Sequence, residues 1–129
     1  MAEQRVPVAP GTNVENRAFW DAADEGRFLI KHCTACGTPH FYPRAVCPHC
    51  FSAATEWRES PGRGVIYAFS VMRRVPRPYA IAYVTLDEGI TIMTNIVDCD
   101  LDRLAIGQRV EVTFQDGDTG RKVPVFAPA

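Results

Sequence analysis

The residues best suited to chemistry lie between positions 33 and 50. Cys33-Thr-Ala-Cys36 and Cys47-Pro-His-Cys50 are two Cys-x-x-Cys pairs separated by ten residues. Each pair sets two thiolates about one tight turn apart. Two such turns brought face to face supply a tetrahedron of sulfur, the donor set that suits Zn²⁺. Gly37 follows the second sulfur of the first pair and can take positive φ without steric cost, which lets that knuckle curl back. Pro48 stiffens the second knuckle. One structural Zn²⁺ per chain, held by Cys33, Cys36, Cys47 and Cys50, is the expectation. Four thiolates fill the coordination sphere, so the stretch reads as a clamp with no open position for a substrate.

Rival readings of these cysteines are weaker. The opening MAEQRVPVAPG carries no apolar segment of a secretory signal, so reduced thiols and a cytoplasmic location are expected in place of disulfides. A thioredoxin-like pair needs a single Cys-x-x-Cys at a strand-to-helix junction, not two facing turns. Iron in a rubredoxin-type site uses the same ligand chemistry, which keeps a rubredoxin-like electron carrier as an alternative. His32, His40 and His49 lie in or beside the stretch. With four thiolates present they are expected at the surface or supporting the ligands, not on the metal.

The second half of the chain is poor in catalytic groups. It has no histidine, and its one cysteine, Cys99, stands between Asp98 and Asp100, whose charges raise a thiol pKa. Without a base, an activated nucleophile or an open metal position, no catalytic residues are assigned and no independent activity is expected. From Arg63 to Arg77 there are four arginines, Arg63, Arg73, Arg74 and Arg77, and no acid. Guanidinium groups grip phosphate by two-point contacts, so this run is a candidate anion-binding lip; a solvated loop is the plainer alternative. From Asp87 to Asp118 eight acids face only Arg103 and Arg109. That acidity, and a net charge of −1 from 14 basic and 15 acidic residues, count against nucleic acid as a partner. A single-stranded nucleic-acid binder stays as an alternative, because small metal ribbons and OB barrels both do that work. No apolar run approaches the roughly 20 residues that cross a bilayer, so no membrane partner is expected.

The elements that must position these groups follow from pattern. Residues 1–12, with Pro7, Pro10 and Gly11, read as a flexible or extended lead-in. Asn13 can cap a helix over 14–25, with Glu15 in its first turn and Gly26 as its stop. Val14, Ala18, Phe19, Ala22 and Ala23 fall near one face with Trp20 beside it; Phe19 and Trp20 either pack on their own domain or dock a partner. Residues 27–32 enter the first knuckle as a strand, and 55–59 leave the second as another. The unit 27–60 is too small to hold a core by burial alone, so metal binding must supply much of its folding free energy.

Pro61-Gly62-Arg63-Gly64 punctuates the chain, and everything beyond reads β. Strands are expected over 64–73, 79–86, 90–97, 109–114 and 122–126. Asp87-Glu88-Gly89 forms a hairpin turn, and a short helical turn runs from Asp100 to Ile106. Five short strands with a helical turn before the fourth fit a small OB-type barrel, with a loose antiparallel sandwich as the alternative. Tyr67, Phe69, Tyr83, Ile92 and Val112 are expected to be mostly core. The divisions are 1–26, arm and helix; 27–60, metal ribbon; and 61–129, barrel.

In this order the motifs resemble the zinc-ribbon plus OB-fold proteins that accompany thiolase-like enzymes. The resemblance runs along nearly the whole chain. It is carried by Phe19-Trp20, Cys33-x-x-Cys36-Gly37, Pro43-Arg44 and Cys47-Pro48-x-Cys50, then by Trp57 and Gly62-x-Gly64-x-Ile66-Tyr67. Pro78-Tyr79, Leu86-Asp87-Glu88-Gly89 and Ile106-Gly107 complete it. It implies a mainly β protein with an N-terminal helix, a rubredoxin-like zinc ribbon and a five-stranded OB-fold barrel. It implies acyl-CoA as ligand and a thiolase-like protein as partner in a hetero-oligomer: a thiolase, an acyltransferase or a thiolase-like sterol side-chain aldolase. The barrel would hold the CoA end of the substrate while the partner supplies the catalytic residues. Some related chains add a hydratase-type domain, for which these 129 residues have no room.

Overall fold

The chain is mainly β. In the computed structural model, which describes residues 5–129, one helix α1 (Arg17–Asp24) precedes eight strands. Residues 1–4 of the expected lead-in lie outside the described residues. The stretch after them is pinned to the far end of the chain. Asp118 N–H donates to the Pro7 carbonyl (3.0 Å), and Ala9 N–H donates to the Asp118 carboxylate (3.0 Å).

The helix is shorter than its sequence pattern suggests. The Asn13 side chain accepts hydrogen bonds from the backbone N–H groups of Glu15 and Asn16 (2.9 and 3.0 Å), which closes a local turn. Helical geometry therefore begins at Arg17 with Asn16 as its cap residue. Val14 and Ala18 are left exposed, and the buried face is Phe19, Trp20, Ala22 and Ala23. Glu15, freed from the first turn, accepts a hydrogen bond from Ala45 N–H across in the ribbon (2.7 Å). Gly26, at φ +77°, ends the helix as expected.

Strands β1 (Leu29–Cys33), β2 (Pro39–His40) and β3 (Thr55–Glu59) form an antiparallel sheet in the order β2-β1-β3. The remaining five close into a barrel in the order β4-β5-β6-β8-β7, the OB arrangement. They are β4 (Arg63–Met72), β5 (Tyr79–Leu86), β6 (Thr91–Ile96), β7 (Arg109–Asp116) and β8 (Lys122–Pro128). The barrel closes through one parallel bridge, Ile96 with Phe126. The turn before β7 is a 3-10 helix, Leu101–Arg103, capped by the Asp100 carboxylate accepting from Asp102 N–H (3.0 Å).

β4 corrects the expected core. Its register against β5 shifts between Ile66 and Ala68, so Tyr67 occupies a β-bulge. One extra residue moves every later side chain to the other face. Ile66 points inward before the bulge, and Phe69 and Val71 pack on the core after it. Tyr67 is turned out, 65% exposed, and Tyr83 on the outward side of β5 is 47% exposed. Ile92 is buried, and Phe69 and Val112 are partly buried against the core.

Helix, ribbon and barrel share one hydrophobic core. Phe28, between α1 and β1, meets Phe126 of the barrel edge-on with ring centres 6.0 Å apart, and meets Phe19 at 5.9 Å. Phe19 in turn contacts Phe41 between the knuckles (5.7 Å) and Trp20 (5.1 Å). Each such edge-to-face pair adds about 0.5–1.5 kcal/mol beyond its burial. Phe19 and Trp20 are thus packed inside their own chain, 5% and 8% exposed, the first of the two roles that the sequence leaves open for them. At the outer end of the helix, Arg121 bridges Asp21 and Asp24 (both 2.9 Å) and Lys122 N–H donates to Asp24 (3.0 Å). Among the described residues no helix is long and apolar enough to cross a membrane.

Candidate metal centre

The two knuckles are built to one plan. In the first, Cys33 N–H donates to the Thr38 carbonyl and Gly37 N–H donates back to the Cys33 carbonyl (3.1 and 2.9 Å). In the second, Cys47 N–H donates to Ser52 and Phe51 N–H donates to Cys47 (2.8 and 2.9 Å). The residue after the second sulfur takes positive φ in both: Gly37 at +74° and Phe51 at +64°. Gly37 meets that demand freely. Phe51 meets it at a steric cost, with its ring 79% exposed.

The plan brings the four sulfurs together. Cys33 Sγ lies 3.5 Å from Cys50 Sγ and Cys36 Sγ lies 3.8 Å from Cys47 Sγ, and all four are within 4.8 Å of one another. A zinc ion with Zn–S bonds of about 2.3 Å needs tetrahedral edges of about 3.8 Å, which these separations match. Cys33 and Cys47 are buried while Cys36 and Cys50 reach the surface. The electrostatics also call for a cation. The Thr38 hydroxyl and backbone N–H bring the Cys36 thiol down to about 6. Cys50 is lowered by the Ser52 backbone N–H, yet the Cys33 sulfur, burial and the other two sulfurs outweigh it and push the thiol up to about 12. Four sulfurs this close cannot all ionise beside each other; a divalent cation removes that conflict and holds the knuckles together. His49 N–H donates to Cys47 Sγ (3.4 Å), support of the kind thiolate ligands receive.

Among the described residues, the cysteine quartet is the one cluster that could hold a metal ion. No histidine joins it. Burial lowers the pKa of His40 and His32 and keeps both rings neutral-leaning. Cys99 lies outside the ribbon, its thiol raised chiefly by burial and then by Asp100 and Asp98. The two acids flagged by the sequence contribute, but burial does most.

The arginines do not form a single lip. β4 separates Arg63 from Arg73 by ten residues of strand, roughly 30 Å of chain. Arg63 sits at the ribbon end beside Asp87, whose carboxyl is held low first by hydrogen bonds from Arg109 and further by the Arg63 charge. At the far end, Arg73 pairs with Asp102 (2.8 Å). Arg77 lines a cleft of about 480 Å³ with Arg5, Tyr79, Asn95, Asp98 and Cys99. The Arg5 guanidinium lies over the Tyr79 ring, 4.2 Å from its centre. Sequence reading did not find Arg5, because nothing in the lead-in's composition shows that it folds back over the barrel.

A four-sulfur ribbon fused through a common core to an OB barrel defines the class of protein, and known proteins agree. The family model for the ChsH2 rubredoxin-like zinc ribbon domain matches residues 20–56, and that for the ChsH2 C-terminal OB-fold domain matches 57–115. A DUF35 domain-containing scaffold protein of Methanocaldococcus jannaschii is 39% identical over 100 residues, covering 68% of this chain and 70% of that protein. A probable enoyl-CoA hydratase alpha subunit of Thermomonospora curvata is 34% identical over 125 residues, 93% of this chain; the chain spans 39% of that relative's length. Among solved structures, a chain of the Ltp2-ChsH2(DUF35) aldolase superposes with a TM-score of 0.83 at 34% identity, covering 93% of this chain and 98% of that one. A DUF35-family structure from Sulfolobus solfataricus shares the fold at TM-score 0.61 and 14% identity over 78% of each chain. This chain belongs to the DUF35 family of ChsH2-type zinc-ribbon and OB-fold scaffold proteins.

Proposed function

We propose that the chain is a non-catalytic, zinc-containing subunit that scaffolds a thiolase-type acyl-CoA enzyme and helps hold its acyl-CoA. The partner reaction would be thiolysis, acyl transfer or retro-aldol cleavage of an acyl-CoA. The observation that carries this reading is the match, over 98% of its length, to a chain of the Ltp2-ChsH2(DUF35) aldolase. The sulfur cage supports it: four thiolates this close would enclose one ion and leave no position for substrate, so the metal would act as a clamp. When bound, zinc supplies charge neutralisation and a cross-link between knuckles. Cys33, Cys36, Cys47 and Cys50 hold it, and the chain's other residues do the binding.

For acyl-CoA phosphates the reading uses the far end of the barrel, where Arg77 and Arg5 line the cleft with Tyr79, and Arg73 and Arg74 follow directly after β4. Arg63 is set aside because it lies at the opposite end of β4. Reduced thiols fit a cytoplasmic setting. The test is purification of the tagged chain from its native host, with sequencing of co-purifying proteins and titration of a CoA ester into the complex by calorimetry. A thiolase-like subunit at fixed stoichiometry supports the proposal, as does a loss of CoA-ester affinity of about tenfold for each lost charge-assisted contact in Arg74→Ala or Arg77→Ala. A chain that purifies alone contradicts it.

A further inference from the structure

The outer face of β4, β5 and β6 stands apart from the rest of the surface. Apart from Arg63 at their start, these strands contain no Asp, Glu, Lys or Arg. What they present outward is Tyr67, Met72, Tyr83 and Met93, along with the uncharged Ser70 and Thr91. Tyr83 stands opposite Met93 on β6 and opposite Ala68 on β4, next to the bulge that turns Tyr67 out. Met72 stands opposite Tyr79 further along. Met93 also lines a groove of about 300 Å³ that continues to Phe41 and Tyr42 of the ribbon, so one uncharged band crosses from barrel to ribbon.

Its size and make-up are those of an interface. At roughly 200 Å² for a whole aromatic side chain, the exposed parts of Tyr42, Tyr67 and Tyr83 (59%, 65% and 47%) amount to about 340 Å². Met72 and Met93, 39% and 51% exposed, extend it. That is a large share of the roughly 800 Å² that each partner contributes to a standard interface. Aromatic and Met enrichment with depletion of charge marks the buried centre of such contacts. A nucleic acid would require cations along its path, and beyond Arg63 the three strands and the groove supply none; Arg5 stands only at the cleft end, over Tyr79. The band also meets the arginine-lined cleft, because Asn95 lines both cleft and groove.

We propose that this β4–β5–β6 face, with the Tyr42–Met93 groove, is the surface on which the thiolase-type partner enzyme seats. The inference rests on the function proposed above and adds the place of contact. Seated there, the partner would lie beside the cleft, so a ligand held at Arg77 could extend into it. The heterologous occupant is favoured over a second copy because the matched relatives are scaffold proteins and a chain of a two-protein aldolase.

The test uses the full-length, metal-loaded chain and the thiolase-type protein that co-purifies with it, identified by sequencing and purified separately. Tyr83→Lys and Met93→Glu place a charge at the centre of the face, and each is expected to weaken binding about 30-fold or more. Thr119→Lys, in the turn between β7 and β8, is expected to leave affinity unchanged. Metal content and melting temperature confirm that the variants fold. Unchanged affinity in both face variants overturns the placement while leaving the scaffold function standing. So does a wild-type chain that sediments as a dimer which these variants dissociate, because a second copy would then occupy the face. A wild-type chain that binds no thiolase-type protein removes both proposals together.

Discussion

The matched knuckles allow a backbone effect to be isolated. At an ordinary position, replacing alanine by glycine destabilises a protein by about 0.4–1 kcal/mol, because glycine has more freedom to lose on folding. At position 51 the order should reverse. Phe51 sits at φ +64°, a conformation costing an L-residue roughly 1–2 kcal/mol that glycine does not incur. Phe51→Ala and Phe51→Gly lose the same ring, so packing cancels between them. Strain relief less the entropy penalty leaves Phe51→Gly about 0.5–1 kcal/mol more stable than Phe51→Ala. Gly37 is the counterpart: a Cβ there would meet no atom within 4 Å, so Gly37→Ala should cost a similar amount through strain alone. With an unfolding entropy of roughly 2.1 cal/mol/K per residue, 129 residues convert 1 kcal/mol into about 4 °C. Melting the metal-loaded variants should show Phe51→Gly about 2–4 °C above Phe51→Ala, and Gly37→Ala about 2–4 °C below wild type. A Phe51→Ala protein that melts at or above Phe51→Gly would refute the reasoning, for then the second knuckle does not impose the geometry of the first.

Other outcomes follow from named contacts. Cys47→Ser removes a fully buried sulfur from the cage; bound metal by mass spectrometry should fall well below one per chain, and residues 27–60 should become the site of protease cleavage. Gly64→Ala would place a Cβ 2.3 Å from the Thr85 carbonyl on the paired strand; with backbone on both sides it should cost about 3 kcal/mol, or about 11 °C. Asp24 is held below its usual carboxylate pKa, first by the Lys122 backbone N–H and then by Arg121. Its contribution is present above the unfolded value of 3.8 and lost as pH falls through the lower folded value, so Asp24→Asn should flatten the acid limb of a melting-temperature profile between pH 5 and pH 2.

The cysteine spacing carried the ribbon, and the alternation of 79–86 and 109–114 carried much of the barrel, because both are local signals. What was not legible depends on non-local geometry. A bulge at Tyr67 leaves no mark in a run of apolar residues, yet it reverses the strand's faces and exposes Tyr67. The Asn13 turn and the Asn13 helix cap use the same side chain and differ only in where the backbone begins to coil. Which of their two open roles Phe19 and Trp20 take is not written in the helix, because the pocket that receives them includes Phe28 and Phe41 of the ribbon. Arg63 and Arg73 look clustered in sequence only because the strand between them carries no acid.

The most direct measurement is turnover of an acyl-CoA thioester by the purified, metal-loaded chain, compared with the same chain bound to its thiolase-type partner. A scaffold with a closed sulfur cage predicts no turnover by the chain alone and full activity in the complex. Turnover by the isolated chain, abolished with its metal, would place chemistry at Cys33–Cys50 and contradict the clamp.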